Sequence, residues 1–108
     1  MTFASIVVPA FNVSATLAET LTSLLAQTYA SFEIIIVDDG STDDTPRIAA
    51  RFSRDRRVRV IRQSNRGLAG ARNTGIAAAR GDVIGFCDSD DLWRPEKLAL
   101  HVAHLEAN

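Results

Sequence analysis

The sequence has few of the features that mark secreted, membrane-spanning or nucleic-acid-binding chains. Cys87 is its single cysteine, so no intramolecular disulfide can form, and we expect a reducing, cytoplasmic compartment. Its apolar runs are far shorter than the roughly 20 residues that cross a bilayer. The amino terminus lacks the basic start and apolar core of a signal peptide. The formal net charge of −1 does not support electrostatic binding to nucleic acid or to a membrane surface.

No internal repeat, low-complexity segment or linker divides the chain, so we interpret its 108 residues as one domain. A hydrophobic content of 46%, beside 23% charged residues, is typical of a globular chain that can bury a core. Cys87 lies inside an apolar run, and we interpret it as a small core residue rather than as a nucleophile.

Apolar runs and helical patterns alternate along the chain as β-α-β-α-β-α-β-α. Strands are predicted at residues 5–8, 32–37, 58–62 and 83–87. The first should stop at Pro9, which cannot continue a central ladder, and the third alternates as an edge strand does. The first helix should start near Ser14, and the four helices should end near residues 27, 52, 79 and 105. This order predicts an α/β fold with a mostly parallel sheet and right-handed crossovers.

The third predicted helix contains Gly70 and Gly75. Glycine inside a helix costs roughly 1 kcal/mol relative to alanine. The two glycines therefore indicate that another part of the molecule lies close to this backbone.

The last apolar run, at residues 83–87, leads directly into an acidic loop that contains Asp88, Asp90 and Asp91. A run without polar alternation predicts a strand buried on both faces. Ligands of open α/β sheets bind at the carboxyl ends of such strands, and neighbouring carboxylates repel one another unless a cation or hydrogen-bond donors relieve them. The loop is therefore either a site for a hard cation such as Mg²⁺ or Mn²⁺, or a solvated turn that caps the next helix.

Two other loops should lie on the same rim of the sheet. Pro9, Ala10 and Phe11 end the first strand, and Asp38 and Asp39 end the second. An aromatic ring, backbone groups and carboxylates can together hold a base and a ribose. Arg72, near the start of the third helix, can reach this rim with a bidentate fork.

Each of these residues also has a purely structural interpretation. Arg72 can be a solvated arginine whose stem covers Ile76, one helical turn away. Asp38 or Asp39 can cap the second helix. Phe11 can be a loop aromatic packed on the core. The residue pattern alone leaves these alternatives open.

Five blocks of the sequence, taken in order, resemble the family 2 glycosyltransferases. They are residues 6–12, 24–29, 36–43, 65–73 and 88–91. The resemblance implies a Rossmann-like GT-A fold with strand order 3-2-1-4, a nucleotide-diphosphate sugar as donor, with UDP favoured, and Mg²⁺ or Mn²⁺. It also implies transfer, with inversion, to a saccharide or a lipid-linked acceptor, in the cytoplasm or at the inner face of the membrane.

The resemblance also implies roles for single residues. Contacts to the nucleoside fall on Pro9, Ala10, Phe11 and Asp39, with Asp38 near them, and Arg72 resembles a contact to base or phosphate. Residues 88–90 resemble the family's Asp-X-Asp motif. In that motif Asp88 lies near the ribose and the metal, and Asp90 binds the metal directly.

The family's catalytic base and acceptor-binding elements lie downstream of the Asp-X-Asp motif, and nothing after Asp91 matches them. Glu96 and Glu106 are on the last predicted helix. We therefore expect residues 1–108 to be the nucleotide-sugar-binding part of a longer domain, inactive alone and with the catalytic residue unknown. We also expect the strand at residues 83–87 to have an unpaired apolar edge through which the chain self-associates.

Two other classes of protein compete with this interpretation. A phospho-acceptor receiver domain also has a strand ending in Asp-Asp, but it needs a lysine at the end of a late strand. Lys97, the only lysine, is in the last predicted helix, which argues against that class. The other alternative is a non-catalytic α/β interaction module.

Overall fold

The computed structural model describes residues 1–107 and shows eight alternating elements. The strands are β1 (Ala4–Ala10), β2 (Phe32–Asp38), β3 (Val58–Arg62) and β4 (Val83–Phe86). The helices are α1 (Leu17–Leu25), α2 (Thr45–Phe52), α3 (Gly67–Ala78) and α4 (Lys97–Glu106). The predicted succession is confirmed.

The four strands form one parallel sheet in the order β3-β2-β1-β4. This confirms the predicted order 3-2-1-4 and the interpretation of β3 as an edge strand. Because every strand runs in the same direction, the loops after β1, β2 and β4 all leave from the carboxyl edge of the sheet. That edge is where the sequence predicts a site.

Helices cover both faces of the two central strands. On one face, the leucines of α1 pack with the side chains that include Ile6, Val8, Ile34 and Ile36. On the other face, Val7, Ile35 and Val37 pack with Ala71 of α3. Every residue of β1 and β2 is buried, which explains why both strands read as continuous apolar runs.

Helix α3 lies close against β1 because it has no side chain at Gly75. A Cβ placed there would lie 2.3 Å from Val7 Cγ1, in a buried part of the central strand. The close approach predicted from this glycine is confirmed. A Cβ placed at Gly70 would lie 2.5 Å from Arg66 Cβ, so the group close to this glycine is a neighbouring side chain rather than another element of the fold.

The prediction that the first strand stops at Pro9 is wrong. Strand β1 continues to Ala10, with Pro9 opposite Val37 of β2. The carbonyl of Val7 accepts a hydrogen bond from Cys87 N–H, so alternate residues of β1, including Pro9, direct their amide groups towards β4. Pairing with β4 ends at Val7, and the missing N–H of Pro9 therefore leaves no ladder bond unmade.

The prediction that the strand after Gly81 is buried on both faces is also wrong. Ile84 and Phe86 of β4 are 37% and 43% exposed. Strand β4 is at the end of the sheet and is covered on one face only, by residues that include Trp93 and Leu98. A run of apolar residues does not reveal which strand will lie at an edge.

Helix α1 begins at Leu17, later than predicted, because residues 14–16 form a turn. The carbonyl of Val13 closes this turn by accepting the N–H groups of Thr16 and Leu17, at 3.1 and 3.0 Å. Among residues 1–107, no helix combines the length and the apolar character needed to cross a membrane.

Candidate functional site

A cleft of about 270 Å³ opens at the carboxyl edge of the sheet. Four residues predicted from the sequence line it, namely Pro9, Ala10, Phe11 and Asp39. The remaining lining residues come from the loops after β1, β3 and β4 and from the first turns of α3, and they are Val13, Asn65, Gly67, Leu68, Ala71 and Ser89. The loops after all four strands therefore contribute to one cavity.

Phe11 is 48% exposed and borders the cleft, so it is not a core aromatic. The next residue, Asn12, has a φ of 52°, in the left-handed region that few non-glycine residues adopt. Asn12 Oδ1 accepts the N–H of Thr42 at 2.8 Å, and Asn12 N–H donates to Ser41 Oγ at 2.9 Å. These bonds tie the loop after β1 to the loop after β2 and hold Phe11 at the opening.

The two adjacent aspartates after β2 have different surroundings. Asp38 is 1% exposed and does not line the cleft. Its Oδ1 accepts the N–H of Ser41 at 3.0 Å, whereas Oδ2 has no hydrogen-bond partner within residues 1–107 and lies 3.7 Å from Arg62 Nε. Asp38 therefore stabilises the loop after β2 through its hydrogen bond to Ser41 and does not face the cavity.

Asp39 lines the cleft and is held by two donors. Its Oδ1 accepts from Gln63 Nε2 at 2.9 Å and from the N–H of Arg66 at 2.8 Å. Gln63 was not among the residues predicted from the sequence, because a glutamine just after an edge strand has no distinctive pattern.

Neither Asp38 nor Asp39 caps helix α2. The N-cap position is Asp44, which makes no side-chain capping bond, and the N–H of Thr45, the first residue of α2, donates to Asp43 Oδ1 at 2.9 Å. Hydrogen bonds from Thr45 and Ser14 lower the pKa of Asp43 to about 2, despite the opposing effect of desolvation. The capping alternative for Asp38 and Asp39 is therefore wrong.

Arg72 of α3 and Asp88 do not line the cleft themselves, but each is next in sequence to a lining residue, Ala71 or Ser89. Its Nη2 lies 3.8 Å from Asp88 Oδ1, and its guanidinium carbon lies 5.7 Å from the centroid of the Phe86 ring. The side chains of Arg72 and Asp88 are 42% and 64% exposed, so both charges remain accessible to a ligand. The structure thus brings together two of the predicted site residues.

The acidic loop after β4 is anchored to α1 through its backbone. Thr16 and Thr20 of α1 both donate to the carbonyl of Ser89, at 2.9 and 3.0 Å. Asp90 is exposed, and the N-cap position of α4 is Glu96, which makes no side-chain capping bond. The alternative that this loop caps the last helix is therefore wrong.

The acidic loop has the chemistry of a partial site for a divalent cation. Within residues 1–107, no group of three or more histidine, cysteine, aspartate or glutamate side chains is arranged to hold a metal ion. Mg²⁺ and Mn²⁺ do not require such a group, since they bind through one or two carboxylates together with phosphate oxygens. The accessible carboxylates of Asp88 and Asp90 fit that donor set.

Cys87 is a core residue, as predicted, and is 1% exposed. Burial, together with the neighbouring carboxylate of Asp91, raises the pKa of its thiol to about 12. The thiol is therefore protonated at neutral pH, which removes it from the candidate nucleophiles.

Residues 5–108 match the glycosyl transferase family 2. This match covers nearly the whole chain and confirms the family resemblance. The chain belongs to the family 2 glycosyltransferases.

Curated relatives in bacteria carry the same region. The chain is 53% identical over 88 residues to EpsJ of Bacillus subtilis, an uncharacterized glycosyltransferase, covering 81% of this chain and 26% of EpsJ. It is 38% identical over 104 residues to WfgD of Escherichia coli, a UDP-Glc:α-D-GlcNAc-diphosphoundecaprenol β-1,3-glucosyltransferase, covering 96% of this chain and 41% of WfgD. The chain therefore spans less than half the length of either relative.

Solved structures share the fold. S. aureus TarS 1–349 in complex with UDP-GlcNAc superposes with a TM-score of 0.90 at 32% identity, covering 97% of this chain and 31% of TarS 1–349. The mannosyltransferase PcManGT of Pyrobaculum calidifontis, in complex with GDP-Man and Mn²⁺, gives a TM-score of 0.88 at 29% identity, covering 94% of this chain and 31% of PcManGT. The expected GT-A fold is confirmed.

Proposed function

We propose that this chain is the donor-binding part of a glycosyltransferase that moves a sugar from a nucleotide-diphosphate sugar, with UDP favoured, to an acceptor with inversion. The observation that carries the proposal is the cleft of about 270 Å³, which Phe11 and Asp39 both line, and the Arg72–Asp88 pair, which neighbours the lining residues Ala71 and Ser89 in sequence. An aromatic ring and a carboxylate suit a base, and the charged pair suits a diphosphate and a ribose.

The nucleoside would lie between the loops after β1 and β2. Pro9 and Ala10 supply a rigid backbone wall, Phe11 supplies an accessible ring face, and Asp39 supplies an acceptor for a ring N–H. Asp38 acts indirectly, since its hydrogen bond to Ser41 shapes the turn that carries Asp39.

The diphosphate would lie over the loop after β4. Arg72 offers a guanidinium fork, which binds phosphate oxygens in a bidentate manner. Asp90, with Asp88, would hold Mg²⁺ or Mn²⁺ against the same oxygens. The PcManGT complex, which contains GDP-Man and Mn²⁺, supports the use of a divalent cation together with the donor. When bound, the cation neutralises the charge that develops on the leaving diphosphate.

Acceptor binding and the catalytic base would be supplied by parts of the longer protein that correspond to the unmatched lengths of the relatives. We expect residues 1–108 to bind donor without turning it over. The acceptor we propose is a saccharide or a lipid-linked sugar, used in the cytoplasm or at the inner face of the membrane. WfgD, a glucosyltransferase for a diphosphoundecaprenol-linked sugar, supports the lipid-linked acceptor.

As an isolated polypeptide, the chain would also pair with a second copy along β4. Cys87 N–H points towards β1, so the amide groups of Ile84 and Phe86 point away from the sheet. No strand within residues 1–107 lies beyond β4, and both side chains are more than a third exposed. An exposed apolar edge with free amide groups favours strand pairing between copies.

Chemical-shift mapping by NMR tests the location of the donor site. Titration with UDP and Mg²⁺ should shift the backbone amides of Phe11, Asp39 and Leu68, which line the cleft. The amides of Arg56 and Arg80, which border a second cavity of about 280 Å³ away from this cleft, should not move. Shifts confined to the second cavity would contradict the proposed site.

A further inference from the structure

A chain of hydrogen bonds behind the cleft joins helix α3 to Asp39. Thr74 Oγ1 in α3 donates to Gln63 Oε1 at 2.7 Å, and Gln63 Nε2 donates to Asp39 Oδ1 at 2.9 Å. The N–H of Arg66 donates to the same Oδ1 at 2.8 Å. Two donors therefore occupy Oδ1, while none of the hydrogen bonds within residues 1–107 uses Oδ2.

The amide of Gln63 has one orientation that satisfies both neighbours. An ionised carboxylate only accepts hydrogen bonds, so the NH₂ group of Gln63 must face Asp39 and its Oε1 must face Thr74. The single proton of Thr74 Oγ1 has two acceptors, Gln63 Oε1 at 2.7 Å and the carbonyl of Gly70 at 3.0 Å, and the shorter contact is to Gln63.

The main chain of Gln63 is fixed as well. Its N–H donates to the carbonyl of Asp38 at 3.0 Å, which extends the β2–β3 pairing by one bond beyond Arg62. Gln63 is therefore held by its backbone on one strand and by its side chain between α3 and Asp39. A side chain restrained in this way can hold a neighbouring carboxylate in a single orientation.

The restrained position of Gln63 determines which oxygen of Asp39 is available to a ligand in the cleft. Asp39 is 3% exposed and lines the cavity, and its Oδ1 is occupied, so Oδ2 is the carboxylate oxygen left for a ligand. An oxygen that can only accept favours a base that brings an N–H and disfavours one that brings a lone pair. Uracil carries an N–H at ring position N3, whereas cytosine carries a lone pair there.

We propose that Gln63 is a positioning residue for base selection, with Thr74 fixing its amide. Gln63 turns Asp39 so that Oδ2 faces the base, and the site thereby prefers uracil to cytosine. This inference rests on the proposed function. It extends the proposed site by two residues, Gln63 and Thr74, that do not line the cleft.

NMR titrations of UDP and CDP against the chain and its variants test the inference. Gln63→Leu keeps much of the side-chain volume but removes the donor. We expect its dissociation constant for UDP to rise about tenfold and that for CDP to change less than about threefold, so the preference for UDP falls. Thr74→Val should act in the same direction with a smaller effect, because Gln63 keeps its donor but loses the group that orients it.

Thr22→Val is the matched control, since the hydroxyl of Thr22 makes a comparable bond to the carbonyl four residues earlier, Ala18, on α1. It should leave both nucleotide affinities unchanged, and thermal unfolding shows whether each variant is folded. If Gln63→Leu and Thr74→Val still bind UDP but the ratio of the dissociation constants for UDP and CDP is the same as in the unsubstituted chain, the inference is overturned and the proposed function stands. Failure of the unsubstituted chain to bind UDP would overturn the proposed function and the inference together.

Discussion

Arg72 Nη2 and Asp88 Oδ1 lie 3.8 Å apart and join helix α3 to the loop after β4. Both side chains are substantially exposed, at 42% and 64%, so water and salt screen the pair. A pair of this kind adds little to stability. The pair lies next in sequence to the cleft-lining residues Ala71 and Ser89, and the proposed function assigns its two charges to contacts with a phosphate and a ribose.

Arg72→Gln separates these two roles. We expect the free energy of unfolding to fall by no more than about 1 kcal/mol, since exposed ion pairs contribute little. The dissociation constant for UDP should rise about tenfold or more, because a charge-assisted contact is lost. Calorimetric titration and denaturant unfolding measure the two quantities.

Arg47→Gln is the control for this substitution. Arg47 makes an exposed ion pair with Asp44 at 2.7 Å, away from the cleft. Its loss should cost similar stability and leave UDP affinity unchanged. If both variants bound UDP like the unsubstituted chain, Arg72 would have no part in the site.

Gly75→Ala tests the close packing of α3 on β1. A helical glycine replaced by alanine usually gains up to about 1 kcal/mol. Here the new Cβ would lie 2.3 Å from Val7 Cγ1, and we expect a loss of about 1–3 kcal/mol from overpacking. Urea unfolding of Gly75→Ala, Val7→Ala and the double variant gives the coupling between the two positions. The double variant should lose less than the sum of the two single changes, and strict additivity would rule out the contact.

Glu33 lies near the start of β2, at the amino edge of the sheet and opposite the edge that carries the cleft. Its Oε1 accepts from Arg59 Nη2 at 2.8 Å, and its Oε2 accepts from Ser5 Oγ at 2.6 Å and from the N–H of Arg80 at 2.8 Å. Burial alone raises the pKa of Glu33, but these hydrogen bonds outweigh it, so the pKa lies below its ordinary value. The ionised carboxylate therefore stabilises the folded state.

The lowered pKa of Glu33 predicts a pH-dependent stability. Its contribution is complete above the ordinary glutamate pKa of about 4.3 and is lost as the pH falls through the lower folded-state pKa. Glu33→Gln should cost about 1–3 kcal/mol at pH 7, and the difference from the unsubstituted chain should shrink as the pH falls below 4. Urea unfolding at several pH values measures this, with Glu19→Gln on the exposed face of α1 as a control expected to show little effect. A difference that stays constant with pH would contradict the role of the carboxylate.

Self-association through β4 is tested by sedimentation at several concentrations. The unsubstituted chain should show a concentration-dependent increase in mass, and Ile84→Lys should suppress it by placing a charge on the exposed edge. Ala50→Lys, on the exposed side of α2 at the other end of the sheet, should behave like the unsubstituted chain. A strictly monomeric species at high micromolar concentration would refute the pairing.

The sequence predicted the order of elements because strand and helix patterns are local. The apolar runs of β1 and β2 are buried on both faces, as their lack of alternation indicates. The same pattern in β4 was misleading, since exposure there depends on which strand ends the sheet. The extent of β1 depended likewise on where β4 stops, because the missing N–H of Pro9 matters only if a partner strand reaches it.

The candidate site was predictable where residues follow strands directly and harder to predict elsewhere. Phe11, Asp39 and Asp88 come one or two residues after the ends of three strands, and parallel pairing brings them to one edge. Gln63 also follows a strand directly, but its link to Asp39 and to Thr74 of α3 consists of side-chain hydrogen bonds between separate elements of the fold. Contacts of that kind depend on the packing of α3 against the sheet, which no local pattern encodes.

The most direct test of the account is calorimetric titration of UDP with Mn²⁺, with EDTA, and with two aspartate variants. The unsubstituted chain should bind UDP in Mn²⁺, and both EDTA and Asp90→Ala should weaken binding by about tenfold or more. Asp44→Ala, which removes an exposed carboxylate outside the cleft, should leave it unchanged. No binding of UDP in the presence of Mn²⁺, or the same affinity in Asp90→Ala as in Asp44→Ala, would contradict the proposal that this edge of the sheet binds a metal-bound nucleotide-sugar donor.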